Sequence, residues 1–420
     1  MKGKFRLLGP FKQAVTMDGL SIKGVLSDDR FPVITDAGIL VNDGKIEAIA
    51  DFMELKSLNA DVEAVEGNSV VMPGLIDVHT HLCWAGMRAK DYAMRLSGKT
   101  YLEIAQQGGG IWNTVTATRA AGNEELTRIT IERAQRLLKQ GTTTIEVKSG
   151  YGLDVSSELK MLTSIKDANN QTGADLISTC LAHIRPKDFD GTALQFLELL
   201  VAELLPAVKE NLLADRVDIY VDVEAFNRDN ARYFLTEAKE MGFKLTVHAD
   251  QFTPGGVSLA VELGALSADH LEASTEKDIR LIANSNVIPV ILPGASIGLG
   301  APFAPARRLL DAGASLVIAS DWNPGSAPMG NLLLQAALLG VYEKLTMAET
   351  LSAVTFRAAR ALGLTDRGAL IPGMLADLIA FPCSDYREIL YNQGGMMPGI
   401  IWKEGRRVGS KEKRVSRGER

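Results

Sequence analysis

Five histidines are spread over 420 residues, and each one closes an apolar run. His79 and His81 end Gly74-Leu-Ile-Asp-Val-His-Thr-His81, and His183 ends Cys180-Leu-Ala-His183. His248 lies in Leu245-Thr-Val-His-Ala-Asp250, and His270 ends Ser267-Ala-Asp-His270. Imidazole is the side chain suited to moving protons near neutral pH, and it is the commonest metal ligand. On a strand, residues i and i+2 share a face, so a His-x-His pair aims both rings at one point. One strand-end histidine has an ordinary explanation as a hydrogen-bonded structural group. Five of five in the same setting do not. A further run, Ile318-Ala-Ser-Asp321, ends in a carboxylate. Three imidazoles and one carboxylate, with space for a water, make a hydrolytic metal site.

Such a site needs a framework that gathers distant runs at one rim. Strand-like runs fall at 74–80, 142–148, 174–183, 217–226, 244–250, 265–271, 287–293 and 315–321. Amphipathic helical stretches fall at about 123–140, 155–169, 191–211, 228–241, 255–264, 275–284, 303–312 and 327–341. Asn123-Glu-Glu-Leu and Ser156-Ser-Glu-Leu read as helix starts with acidic first turns. Eight strands, each followed by a helix, predict an α/β fold: a (β/α)8 TIM-like barrel spanning 73–362. Function in that fold sits at the C-terminal strand ends, where all five histidines and Asp321 fall. The rival is a doubly wound sheet, which calls for a glycine phosphate loop. Neither G-x-G-x-x-G nor a Walker sequence is present, and Gly108-Gly109-Gly110 lacks a strand before it.

The two ends of the chain read as strands and turns. Gly38-Ile-Leu-Val-Asn-Asp-Gly-Lys-Ile-Glu-Ala-Ile-Ala50 is a hairpin pattern, and Gly399-Ile-Ile-Trp-Lys-Glu-Gly-Arg-Arg-Val408 is another, with a strand expected at Ala376–Phe381. Residues 1–72 and 363–408 are therefore expected to build one small β-rich domain from both termini. The polar, basic tail 409–420 is expected to be disordered.

Composition narrows the class. With 45 Lys+Arg against 51 Asp+Glu the net charge is −6, which gives no footprint for nucleic acid or an anionic membrane. Three scattered cysteines support neither a disulfide framework nor a thiolate metal site. The opening residues carry no apolar core of secretory length, and the longest uncharged stretch is broken by four prolines and three glycines between 287 and 306. A cytoplasmic enzyme is expected, and a homodimer is the default assembly.

Pro73-Gly-Leu-Ile-Asp-Val-His-Thr-His81, with His248, His270 and Asp321, resembles the amidohydrolase superfamily. The resemblance implies that His79, His81, His248 and Asp321 hold one divalent metal, with Asp321 and His270 handling the water. Zinc is expected, with Fe, Co or Mn as substitutes. The fourth strand offers no lysine to bridge two metals, only Asp222 and Glu224. Further motifs are similar to the imidazolonepropionase family. They are Gly86-Met-Arg88, Tyr101-Leu-Glu-Ile-Ala-Gln-Gln-Gly-Gly-Gly-Ile111, Lys148-Ser-Gly-Tyr-Gly-Leu153, Ile291-Leu-Pro-Gly294 and Asp321-Trp-Asn-Pro-Gly-Ser326. That family opens the ring of 4-imidazolone-5-propionate to N-formimidoyl-L-glutamate in histidine breakdown. The implied substrate is a five-membered nitrogen ring with a carboxylate tail. Arg88 is placed to clamp the tail. Tyr101, Tyr151, His183, Gln251, Asn323 and Gly325 are the remaining implied contacts, and His183 is also implied to polarise the ring carbonyl.

Several pocket segments depart from the family pattern: Ile184-Arg185-Pro186 after His183, Tyr220-Val221-Asp222 on the fourth strand, a shortened loop after Asp250, and Ser296-Ile-Gly298 after Leu292-Pro293. They leave open a paralogous hydrolase of a modified ring. Such an enzyme would be a desulfhydrase of a 2-thioxo imidazolidinone propionate or a hydrolase of the 2-oxo analogue, with Trp84, Arg185 and Glu224 as selectivity candidates. An aminohydrolase-type deaminase is more distant, since no His-x-x-Glu element occurs.

Overall fold

The computed structural model describes residues 5–99, 103–104, 107–223 and 225–409. Tyr101, Glu224 and the tail from 410 onward lie outside the described residues. The centre of the chain is a (β/α)8 barrel. Its strands are, in order, Leu75–Asp77, Thr142–Lys148, Asp175–Ala182, Arg216–Val221, Lys244–Ala249, Ser267–His270, Ile288–Ile291 and Val317–Ile318. Each pairs in parallel with its neighbour in sequence. The first and eighth close the ring just beyond their strand ends, through a parallel bridge between Thr80 and Trp322 and the Asp321 N–H donated to the His79 carbonyl at 3.0 Å. Parallel strands buried on both faces favour continuous apolar runs. Thr142–Lys148 is buried at all seven positions, yet it contains Glu146 and Lys148. That exception bears on the site.

Helices cover the barrel where the periodicity placed them, over Asn123–Lys139, Val155–Asn169, Arg228–Glu240, Gly256–Leu263, Glu276–Ala283, Ala306–Asp311 and Leu332–Glu343. Their starts are capped by the residues the sequence supplies: Asp154 accepts the Ser157 N–H, and Thr275 with Asp278 forms a reciprocal capping box. The helix expected over 191–211 is instead three segments, Ala193–Leu199, a wide π turn at Leu200–Leu204, and Leu205–Glu210. Pro206 has no N–H to donate and its ring crowds the preceding turn, so the backbone widens before it. Two helices at the barrel mouth, Ala89–Leu96 and Ile111–Ala120, were not expected.

Both chain ends share one mostly antiparallel sheet. Strands Arg6–Val15, Val33–Asn42, Lys45–Asp51, Asp61–Ala64 and Val70–Pro73 combine with Leu378–Phe381, Ile400–Lys403 and Arg406–Arg407, and the Val70–Pro73 and Leu378–Phe381 strands join the two ends. The two hairpin turns are the expected ones. Asp43-Gly44 and Glu404-Gly405 all have positive φ, as two-residue turns between twisted strands require. Among the described residues no helix is long and apolar enough to cross a membrane.

Candidate active site

All five imidazoles meet at the barrel mouth. The His79 ring lies 5.4 Å from His81, 4.4 Å from His248 and 5.7 Å from His270, centroid to centroid, and His183 stacks 5.9 Å from His81. Ligand nitrogens of His79, His81 and His248 lie within 4.8 Å of one another. Asp321 completes the group, with Oδ1 3.5 Å from His79 Nε2 and 3.4 Å from His81 Nε2. Asp321 and His270 have φ of 49° and 88°, a left-handed backbone unusual outside glycine. Such strain persists where surrounding structure enforces it, and it aims both side chains into the mouth.

Hydrogen bonds behind the rings fix which nitrogen faces inward. His79 Nδ1 is 2.7 Å from Asp269 Oδ2, and His248 Nδ1 is 2.8 Å from Asp218 Oδ2. A carboxylate only accepts, so each Nδ1 carries the proton and each Nε2 presents a lone pair. His79 Nε2 is buried without a hydrogen-bond partner. Burial pushes His79 well below the usual imidazole range, and burial also brings His248 down to about 4, so both rings are neutral. Burial pushes Asp321 upward, but His81, His270 and His248 outweigh it and hold the carboxyl below its usual value. Two imidazole lone pairs, from His79 and His248, turned toward an ionised carboxylate with His81 beside them fit a divalent cation.

Around this centre the other expected residues fall as follows. His183 Nδ1 donates to the Gly150 carbonyl at 3.0 Å, and burial brings the ring down to about 3. The ring is neutral, with Nε2 as an acceptor. Tyr151 lies 5.5 Å from His183 and 5.7 Å from His81. Gln251 Oε1 accepts the Tyr220 hydroxyl at 2.8 Å, and Tyr220 packs 5.9 Å from His183. Asn323 donates to Asp321 Oδ2 at 2.9 Å, and its own oxygen accepts the Gly325 N–H at 2.7 Å. The Arg88 side chain is 8% exposed and gives its Nε to Asp91 Oδ2 at 2.8 Å, an internal ion pair. Its Nη1 end lies against Gly325, where an added Cβ would come within 2.4 Å. The glycine makes room for the guanidinium.

Two selectivity candidates take other roles. Arg185 folds back on its own loop, donating to the Phe189 and Gly191 carbonyls at 3.1 and 3.3 Å, and adds no positive charge to the pocket. Trp84 lies under the Arg133 guanidinium, which is 3.3 Å from its ring centre and donates to the Leu82 and Trp84 carbonyls.

Sequence reasoning missed the groups that support the site: Asp218 and Asp269 behind two histidines, and Glu158. The Glu158 carboxylate accepts the N–H groups of Gly150, Gly152 and Leu153 at 2.7 to 2.9 Å and thereby shapes the loop that carries Tyr151. For Asp218 and Asp269 the signal was present, because charged residues inside apolar, fully buried strands are rare unless paired.

The sequence profile described as the amidohydrolase family matches residues 107–390. The chain belongs to the amidohydrolase family. Its similarity to proteins named imidazolonepropionase runs nearly end to end. The Deinococcus deserti protein of that name is 42% identical over 376 residues, covering 89% of this chain and 92% of its own. The Bacillus cytotoxicus protein is 39% identical over 407 residues, covering 95% of each. This amidohydrolase also shares its fold with a zinc-bound adenosine deaminase from Xanthomonas campestris, at 20% identity and TM-score 0.68 over 96% of this chain and 92% of that one. A protein from Bifidobacterium longum described as a prolidase matches at 18% identity and TM-score 0.69, over 99% and 97%.

Proposed function

We propose that this amidohydrolase opens the ring of 4-imidazolone-5-propionate to N-formimidoyl-L-glutamate, using one divalent metal, zinc by preference, held by His79, His81, His248 and Asp321. The observation that carries the reading is the convergence of His79, His81 and His248 on the Asp321 carboxylate at the mouth, with His79 Nε2 buried and unpartnered. The similarity to imidazolonepropionases supplies the substrate. When bound, a divalent metal polarises a carbonyl and lowers the pKa of a water from 15.7 to about 7.

Asp321 takes the water's proton as its oxygen bonds to the ring carbonyl carbon, and passes that proton to the ring nitrogen as the C–N bond breaks. Asn323, donating to Asp321 Oδ2, holds the carboxylate in place for both transfers. His270, its ring 5.7 Å from His79 and 5.3 Å from His248, orients the water. His183 has a different part from the carbonyl polarisation first expected. With its proton committed to Gly150, Nε2 accepts, so it suits a ring N–H and not the carbonyl oxygen. Arg88, with Nε held by Asp91, offers its Nη edge to the propionate carboxylate, a charge-assisted contact. Gln251 and Tyr151 line the ring's edge, and we assign Tyr101 to the same pocket from its motif. A cytoplasmic homodimer completes the proposal.

The test is an assay of zinc-loaded protein with 4-imidazolone-5-propionate and its 2-thioxo and 2-oxo analogues. Loss of the imidazolone absorbance with appearance of N-formimidoyl-glutamate is the expected result. Turnover of the thioxo compound alone, with sulfide released, overturns the substrate assignment while leaving the metal site standing.

A further inference from the structure

One buried cation in the barrel takes no part in the steps above. Lys148 ends the second barrel strand with its side chain 1% exposed. Its Nζ lies 2.8 Å from Glu146 Oε1, 2.9 Å from Asp218 Oδ2 and 3.8 Å from Asp269 Oδ2, all three carboxylates being buried. These groups come from the second, fourth and sixth strands, the alternate set that fills one layer of such a barrel.

Two of the carboxylates lead to different metal-facing histidines, and the third to the residue between His79 and His81. Asp218 Oδ2 also accepts His248 Nδ1, and its Oδ1 accepts the His248 backbone N–H at 3.1 Å. Asp269 Oδ2 accepts His79 Nδ1. Glu146 Oε2 accepts the N–H of Thr80 at 3.3 Å, and the Thr80 hydroxyl donates to the Glu146 carbonyl at 2.6 Å. Thr80 is the residue between His79 and His81. The Lys148 N–H itself donates to the Thr80 carbonyl at 2.9 Å. One ammonium is thus a single hydrogen-bonded step from every strand that carries a metal-facing imidazole.

We propose that Lys148 is the positioning residue of this metal site, fixing Asp218, Asp269 and Glu146 so that His79 and His248 keep Nδ1 protonated and turn Nε2 to the metal. Carboxylates behind a ligand imidazole set its tautomer and orientation, and losing such a partner costs about 10–100-fold in metal affinity. Here the carboxylates need an orienter of their own, because three of them share a dry layer with one cation. Without the ammonium the Asp218 and Asp269 Oδ2 atoms lose their shared cation, and the His248 backbone N–H at Asp218 Oδ1 is left as a weaker hold on that carboxylate. The two rings then sample the Nε2–H tautomer, which cannot ligate. The inference rests on the metal-site reading above.

The experiment measures Zn²⁺ affinity of metal-free protein by chelator competition, together with ¹⁵N spectra of the histidine side chains. Five histidines make those spectra assignable. Wild type is expected to bind one zinc and to show Nδ1–H at His79 and His248 before metal is added. Lys148→Met is expected to bind zinc about 10–100-fold more weakly and to lose the Nδ1–H signals, while a folded far-UV spectrum is retained. Lys148→Met combined with Glu146→Gln removes one charge of each sign and serves if the single variant does not fold. A folded Lys148 variant with wild-type zinc affinity and both Nδ1–H signals overturns the proposal, as does failure of both variants to fold, which assigns Lys148 to stability. If wild type binds no zinc, or His79→Ala binds as tightly as wild type, the metal-site reading itself falls instead.

Discussion

The barrel holds two buried charged layers, one at each end, and they are balanced differently. At the base, Arg367 and Lys403 face Asp175 and Asp377. Arg367 Nη1 is 2.5 Å from Asp175 Oδ2, and Lys403 Nζ is 2.9 Å from Asp175 and 2.6 Å from Asp377. Two cations match two buried anions there, with the exposed Asp366 also on Arg367 at 2.9 Å, and the cluster ties the third barrel strand, through Asp175, to the terminal sheet. At the mouth, Lys148 faces Glu146, Asp218 and Asp269, with Asp321 a further acid of the rim, while the His79 and His248 rings are held neutral. Burial pushes the Asp269 and Asp77 carboxyls upward, and the charge of Glu146 adds to both shifts. A layer that is complete by itself is structural. A layer short of positive charge, with lone pairs turned inward, is built to receive a cation.

Substitutions at the two ends should therefore separate metal binding from stability. His248→Ala at the mouth is expected to weaken zinc binding by more than about 100-fold, beyond the range for loss of a supporting partner, and to abolish hydrolysis, as read by metal analysis and the ring-absorbance assay. Lys403→Met at the base is expected to cost about 3–5 kcal/mol, because it strands buried carboxylates, with zinc stoichiometry unchanged. Denaturant unfolding of the zinc-free protein measures the first quantity, and metal analysis the second. Arg88→Lys keeps the charge but loses the planar fork, and is expected to raise KM by about tenfold, a loss of about 1.5 kcal/mol for a charged hydrogen bond, with little change in kcat. Tyr220→Phe removes one neutral hydrogen bond to Gln251 and is expected to lower kcat/KM only a few-fold, about 0.5–1.5 kcal/mol. A loss of stability without loss of metal at His248, or the reverse at Lys403, would break the distinction between the two ends.

Much of this was legible in the chain. The eight strands and their helices followed from alternating periods, and the histidines marked the mouth because so few residues of that type occur and all fall at strand ends. What could not be read was the pairing. Arg185 stood out as a selectivity candidate, and its guanidinium closes its own loop on Phe189 and Gly191. His183 looked like a donor until Gly150 claimed its proton. Such partners are set by loop closure over tens of residues, which spacing along a chain does not encode. The left-handed backbone at His270 and Asp321 is likewise enforced by tertiary packing and has no local signature. Asp218, Asp269 and Lys148 were overlooked for another reason: single charges inside apolar strands pass for ordinary alternation, although in a parallel barrel both faces of a strand are buried.

The most direct test of the central claim is a calorimetric titration of metal-free protein with Zn²⁺ at neutral pH, run alongside His79→Ala, His248→Ala and Lys403→Met. The account predicts one site per chain in wild type and in Lys403→Met, and none of comparable affinity in either histidine variant. Equal zinc binding by wild type and both histidine variants would contradict it.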